Sequence, residues 1–552
     1  MDRVNNSGFD AIDYTVGSKP TGRATRINGF VRRAGKYLID EAGDEWFVKG
    51  GGIDCGSLAG KPDPNDRFCN EALYKEHAAL GCNTIRLTFN WEIYVEDRTS
   101  TKFKETGFAW LKQQVEWAKK YNIRLILNMH RIPCGDNCIN ANTHPPHLFW
   151  SKTYQQQWKA VWREIAYRFA DEPVILGYSF WNEQNAPIVG EAQADSEKAY
   201  GDLYQECIDV VRTVDKKHLI ICEQIFAQQN QDGGYRHTNF PAFPPLKEQN
   251  LMYEYHCYEP MEYTYQDKSA SQQKFPIKWD DPDIISGAGL YVHKQNQSVT
   301  HITGQTINSG WKTVESDVFT ADNKTVAGSP LFFFNGTAID GKMLTFQWVE
   351  IWDVTENKRV YRCCFDSVNS VKTYFSYDAN SRSYNGGLCF TNMTGYMMVQ
   401  NDRVEIVELT DGHMYKVVTS VCGDGLPADC TLNVGLRFWG SHVGKALRNN
   451  IEALRVYHKP YVEYRDKNNI PVFCGEWGAY YDCYSEGLNS KQWAEEMLSV
   501  FKELEMQFTV HTPFAMYSKN IQPWHYASGT TSWGGPEYTI LEDAFRKVLP
   551  TI

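Results

Sequence analysis

Residues Val174-Ile175-Leu176-Gly177-Tyr178-Ser179-Phe180 form an almost unbroken apolar run that stops abruptly at Trp181-Asn182-Glu183-Gln184. A strand buried on both faces of a parallel sheet reads this way, whereas a half-exposed strand alternates and a helix repeats every three to four residues. The run Ile470-Pro471-Val472-Phe473-Cys474-Gly475 has the same design and delivers Glu476 beside Trp477. Two such strands call for a sheet covered by helices on both sides, and each brings a carboxyl to its C-terminal end.

The rest of the chain keeps that alternation. After a polar arm over 1–25, Phe30-Val31 and Tyr37-Leu38-Ile39 suggest a hairpin, and strands follow at 46–50, 83–89, 123–130, 174–180, 218–223 and 251–256. Helices are expected near 109–121 and 195–214, and over 158–169, where Trp158, Val161, Trp162, Ile165, Ala166 and Phe169 share one stripe. From 285 to 458 helical periodicity disappears. Short runs such as Leu331–Phe334, Thr345–Val349 and Val404–Val407, punctuated by Asn-Gly, Asp-Gly and Gly-Gly turns, take its place. This is the pattern of an antiparallel β-sandwich. Helices near 459–468, 490–505 and 540–548, with strands at 470–476 and 508–514, then complete a set of eight strands. Excising the insert leaves Glu183 and Glu476 about 120 positions apart, an ordinary three-strand interval in a barrel of about 250 residues. The expected fold is a (β/α)8 TIM barrel over 26–284 and 459–552, with an all-β sandwich over 285–458 inserted between strands six and seven.

Charge and composition exclude some partners. The net charge is −11 with no cluster of five basic residues, which argues against nucleic acid and anionic membranes and suits a neutral substrate. No run of 18 apolar residues exists, and Met1–Asn6 has no signal-peptide core. Export is nevertheless expected from 15 cysteines and the Asn-X-Ser/Thr sequons at Asn5, Asn296, Asn323, Asn335 and Asn392. Cys55 with Cys69, and Cys422 with Cys430, are plausible local disulfides, and the odd count leaves at least one thiol free or paired between chains. Cys134–Cys138 reads as a tight disulfide loop, with a metal site as the alternative.

Two carboxyls at strand ends suit cleavage of a glycosidic bond. One, kept protonated, gives a proton to the leaving oxygen, while the other attacks the anomeric carbon or activates water. Trp181-Asn182-Glu183 and Gly475-Glu476-Trp477 resemble the strand-four and strand-seven signatures of glycoside hydrolase family 5, the retaining cellulase-like enzymes of clan A. The resemblance implies Glu183 as acid/base and Glu476 as nucleophile, with the hairpin closing the barrel's bottom. It further implies that Arg86 holds Glu476 ionised, that His130 and Asn182 contact the sugar, and that Tyr258 of His256-Cys257-Tyr258 bonds the nucleophile. The family's strand-eight tryptophan is missing; that strand carries His511 and Phe514, and Trp524 reaching in from its loop is the expected substitute.

Each residue also has a purely architectural reading. Arg86 and Glu476 could form a barrel salt bridge, Glu183 a helix N-cap, and His130 a satisfied core histidine. Trp311, Trp348, Trp352 and Trp439 of the insert form either a carbohydrate-stacking platform or the filling between two sheets. The expected activity is a secreted endo-β-1,4-glucanase working by double displacement on a β-linked oligo- or polysaccharide, with no metal or cofactor. A β-mannanase, an exo-β-glucosidase, a glycolipid glycosidase and an inactive carbohydrate-binding protein stand as alternatives.

Overall fold

The computed structural model describes residues 14, 19–54, 69–98, 102–133, 147–231, 235–236, 238–265, 277–280, 285–286, 294–321, 327–336, 342–366, 374–376, 382–391, 395–401, 407–439, 447–479, 481–511 and 539–552. Two compact units emerge, one from Met1–Tyr258, Thr264–Pro276 and His458–Ile552, the other from Glu259–Tyr263 and Ile277–Tyr457.

In the first unit eight parallel strands close into a barrel in chain order. They are β1 (Lys49–Asp54), β2 (Thr84–Asn90), β3 (Arg124–Arg131), β4 (Ile175–Ser179), β5 (Leu219–Glu223), β6 (Leu251–His256), β7 (Val472–Glu476) and β8 (Gln507–Val510), with β8 returning to β1. The helices are α1 (Glu71–Ala79), α2 (Glu105–Tyr121), α3 (Lys152–Phe169), α4 (Gln193–Arg212), α5 (Ile451–Asn468), α6 (Ser490–Glu503) and α7 (Thr539–Val548). The sequence reading leaves α1 unassigned, since its nine residues bury only Leu73, Tyr74 and His77. Asn70 starts it by accepting hydrogen bonds from the amides of Ala72 and Leu73. The first strand begins at Lys49 rather than Trp46. Trp46 instead receives the hairpin, its amide donating to the Leu38 carbonyl (2.9 Å).

That hairpin, Arg32–Ala34 with Tyr37–Ile39, plugs the barrel from below. Val31, Leu38, Trp46 and Val48 pack with Ile126, Leu176, Leu219, Ile221, Met252 and Phe473 in one buried cluster. Above it the end of β4 is fixed by aromatic side chains. Trp158 and Trp162 of α3 both donate their indole N–H to the Phe180 carbonyl (3.0 Å each), and the Phe180 amide donates to the Tyr204 hydroxyl of α4 (3.0 Å). The apolar stripe of α3 therefore sets where Asn182 and Glu183 emerge.

The second unit holds a six-stranded and a seven-stranded antiparallel sheet. Residues from both sheets, among them Ile302, Leu432 and Val434 on one and Phe346, Val349 and Val417 on the other, share one core, which makes it a sandwich. Trp311, Trp348 and Trp352 do not fill that core. Trp311 is 47% exposed, while Trp348 and Trp352 alternate with the core residues Val349 and Ile351 and so face outward.

The disulfide expectations need correction. All twelve described cysteines are free thiols. Cys430 lies in the sandwich core, whereas Cys422, one residue from the core-facing Val421, points to the opposite face of its strand, so the two cannot meet. Cys69 donates instead to Gln114 Oε1 (3.1 Å). Cys55, Cys134, Cys138, Trp524 and Phe514 lie outside the described residues. No described helix is long and apolar enough to cross a membrane.

Candidate active site

Arg86, fully buried in β2, is the centre of the polar layer at the C-terminal end of the barrel. Its Nη1 donates to Glu476 Oε1 (2.7 Å), its Nη2 donates to Asn182 Oδ1 (2.7 Å), and its Nε stands 2.7 Å from Glu254 Oε1. Burial alone would weaken the guanidinium charge; Glu254, Glu476 and Glu223 outweigh that and keep it protonated. Behind it, Asn128 donates to Ser179 Oγ (3.0 Å) and Ser179 donates to Glu254 Oε2 (3.1 Å). The tight fit explains Gly475: a Cβ there would come within 2.0 Å of Glu254 Oε1, so only glycine lets β7 pass that carboxylate.

Glu476 ends β7. Besides Arg86 it accepts a short hydrogen bond from the Tyr258 hydroxyl to Oε2 (2.6 Å). Burial pushes its carboxyl up, but His256, His511, Arg86 and His130 outweigh this and hold it well below the ordinary carboxylate range. Glu476 is thus an ionised, well-oriented carboxylate at neutral pH.

Glu183 follows β4 in a left-handed backbone conformation, φ 44°. Its carboxyl is more open than that of Glu476, with 16% of the side chain exposed against 4%. His256, at the end of β6, joins the two: Nδ1 is 2.8 Å from Glu183 Oε1 and 3.5 Å from Glu476 Oε2, while Nε2 is 3.3 Å from Glu254 Oε1. Burial would lower the basicity of this imidazole, yet Glu223, Glu476, Glu183 and Glu254 raise it well above the ordinary histidine value.

The structure therefore brings together Arg86, Asn182, Glu183, His256, Tyr258 and Glu476. His130 stands at the end of β3, its ring parallel to His511 at 6.2 Å and its Nδ1 3.3 Å from Asn128 Oδ1. Two carboxyls escaped the sequence reading. Glu254 lies inside β6 and is held ionised: burial opposes this, but Arg86 and His256 prevail. Glu223 ends β5, its carboxyl pushed well above the ordinary range by burial, which Glu254 and Glu183 reinforce and His256 opposes. Both carried a legible signal, a lone charge within or ending an apolar strand, which is the signal that picked out Arg86.

Glu183, Glu223 and His256 each offer an atom within 4.8 Å of the others, the spacing a cation would need. Both ring nitrogens of His256 already face carboxylates, and a doubly protonated imidazole has no lone pair to offer a metal. The grouping is that of proton-sharing residues.

A closed parallel (β/α)8 barrel with convergent carboxyls at its C-terminal end defines the class. Residues 51–314 match the model of the cellulase family, glycosyl hydrolase family 5, a stretch that contains Arg86, His130, Asn182, Glu183, His256 and Tyr258 and ends before Glu476. Just under half of the chain is thus similar to that family. It is 26% identical over 204 residues to Endoglucanase C of Acetivibrio thermocellus, covering 36% of this chain and 53% of that one. It is 24% identical over 222 residues to Cellodextrinase A of Ruminococcus flavefaciens, covering 40% and 58%. The chain thus spans little more than half the length of these curated relatives. Among solved structures, endoglucanase Cel5A of Thermotoga maritima aligns over 90% of this chain and 96% of its own, with 14% identity and a TM-score of 0.41.

Proposed function

We propose that this protein is a retaining glycoside hydrolase that cleaves a β-linked glucan in the manner of an endo-β-1,4-glucanase, with Glu476 as nucleophile and Glu183 as acid/base. The observation that carries this reading is the shared contact with His256 Nδ1. Glu183 Oε1 and Glu476 Oε2 lie 2.8 and 3.5 Å from one nitrogen, so they cannot be further apart than those two distances end to end. Two carboxyls that share one ring nitrogen suit the short separation of a retaining pair.

Glu476 Oε2 attacks the anomeric carbon as the glycosidic C–O bond breaks, and the proton of Glu183 passes to the leaving sugar oxygen. A glycosyl ester forms on Glu476 and Glu183 is left as a carboxylate. Glu183 then takes a proton from water, whose oxygen attacks the same carbon and releases Glu476. Arg86 and Tyr258 stabilise Glu476 as the departing carboxylate, and Arg86 holds Asn182 by its Oδ1, which leaves the amide N–H groups for the sugar. The glucan assignment draws on the names of the matched relatives, an endoglucanase and a cellodextrinase.

The test is release of new reducing ends from mixed-linkage glucan, carboxymethylcellulose, glucomannan, mannan and xyloglucan, with Glu476→Gln run in parallel. Activity on the glucans that disappears in a folded Glu476→Gln protein is expected. Full activity in that variant would remove Glu476 from the mechanism, and activity confined to mannan would replace the glucan assignment.

The reading extends to the whole chain: a barrel over 26–284 and 459–552, exported on the strength of the five sequons, with 285–458 as a carbohydrate-binding module. What supports the last point is the outer face of the seven-stranded sheet. Trp348 lies there under the Arg362 guanidinium (5.2 Å), and Trp352 donates to Glu350 Oε2 (2.7 Å), an aromatic and polar combination that suits sugar rings.

A further inference from the structure

Glu223 has no part in the double displacement, yet it grips the residue that transfers the proton. Its Oε2 accepts a hydrogen bond from the backbone N–H of Glu183 (2.8 Å), and its Oε1 lies 3.4 Å from His256 Nδ1, the nitrogen that also meets Glu183 Oε1. Glu183 is held at φ 44°, a conformation that costs a residue with a side chain on the order of 1–3 kcal/mol unless its surroundings impose it. The chain on either side is zipped to the segment after β5, with the Phe226 amide donating to the Gln184 carbonyl (2.9 Å) and the Ala186 amide donating to the Ala227 carbonyl (2.8 Å). Glu223 itself is 1% exposed, and Tyr200 of α4 donates to its carbonyl (3.2 Å).

We propose that Glu223 is a positioning residue for the acid/base: its carboxyl, at the end of β5, clamps the Glu183 main chain and so aims the Glu183 carboxyl at the leaving-group oxygen. A carboxyl oxygen accepts the Glu183 N–H whether or not the group is ionised, which is all the clamp requires.

This inference rests on the glycosidase reading, and the experiment separates the two. The wild type, Glu223→Ala and Glu223→Gln are compared on two β-glucosides of the oligosaccharide type the wild type cleaves. One carries a natural sugar leaving group, and the other carries dinitrophenolate, which departs without a proton. Misaiming a general acid removes much of a contribution of roughly 10²–10⁴-fold, and only where protonation is needed. Glu223→Ala should therefore lose roughly 10²-fold in kcat on the sugar leaving group and only a few-fold on the activated one. Glu223→Gln, whose amide oxygen preserves the acceptor, should stay near wild type on both. Should Glu223→Ala not fold, Glu223→Asp, which withdraws the oxygen by one methylene, takes its place with the same expected selectivity. Equal losses on both substrates would make Glu223 merely structural, and a Glu223→Gln protein as impaired as Glu223→Ala would show that charge rather than the clamp matters; either overturns the proposal. An inactive wild type, or an active Glu476→Gln protein, would instead overturn the glycosidase reading beneath it.

Discussion

Tyr258→Phe is the sharpest single perturbation of the candidate site, because it deletes one hydroxyl and leaves the shape of the ring. The lost bond is a phenolic O–H donated to a carboxylate at 2.6 Å. Hydrogen bonds to charged groups contribute about 1.5–3 kcal/mol, and one pKa unit corresponds to about 1.4 kcal/mol. Removing the bond disfavours the ionised Glu476 and should raise its pKa by roughly 1–2 units. The sign follows from the role: Glu476 attacks only as the carboxylate, and in the native site its surroundings hold it well below the ordinary range. The acid limb of the kcat/KM profile should therefore move to higher pH by roughly 1–2 units. Initial rates on a soluble glucan from pH 3.5 to 9 for both proteins decide the matter. An acid limb that stays in place while the rate falls uniformly would refute the argument that Tyr258 controls the ionisation of Glu476.

Two further outcomes follow from other parts of the molecule. Asp215 accepts from the Tyr178 hydroxyl (2.6 Å) and faces His218 Nδ1 (2.5 Å); burial raises its carboxyl, but His218, Tyr178 and Arg212 prevail and hold it low. A depressed carboxyl contributes stability that is fully present above its unfolded pKa and is lost as pH falls through the folded one. Asp215→Asn should thus cost about 1.5–3 kcal/mol in urea unfolding at pH 7, with the gap to wild type closing below about pH 4; a gap that persists in acid would contradict the assignment. On the sandwich, replacing Trp348 and Trp352 together by alanine should abolish retardation of the protein by soluble glucan in native gels and leave turnover of small substrates intact. Unchanged retardation would remove that face from substrate binding.

The strands were legible where burial on both sides made them continuous. Leu251–His256 is observed as expected from the sequence, β4 ends four residues before Glu183, and β7 ends at Glu476 itself. Helix α5 was expected near 459 but starts at Ile451, because Pro460 within it imitates a boundary. Glu223 and Glu254 were passed over because a motif directs attention to the residues it names, and neither belongs to one. Their importance comes from convergence in space: Glu254 reaches Arg86 across the barrel and Glu223 reaches a main-chain amide on the neighbouring strand. The outward tryptophans show the complementary limit, since periodicity assigns alternate residues to two faces but does not say which face is the core.

The placement of the second unit between β6 and β7 also bears on how the protein is made. Six adjacent barrel strands are complete when His256 leaves the ribosome, but β6 finds its partner only after Val472, about 200 residues later. At typical rates of synthesis that is on the order of 10–40 s. Throughout it, both β1 and β6 expose unpaired backbone groups, an invitation to pair with another chain. The same interval gives the nascent sandwich time to bury its own core before the barrel closes, so slowing translation within 277–457 should affect yield differently from slowing it after β7 has emerged.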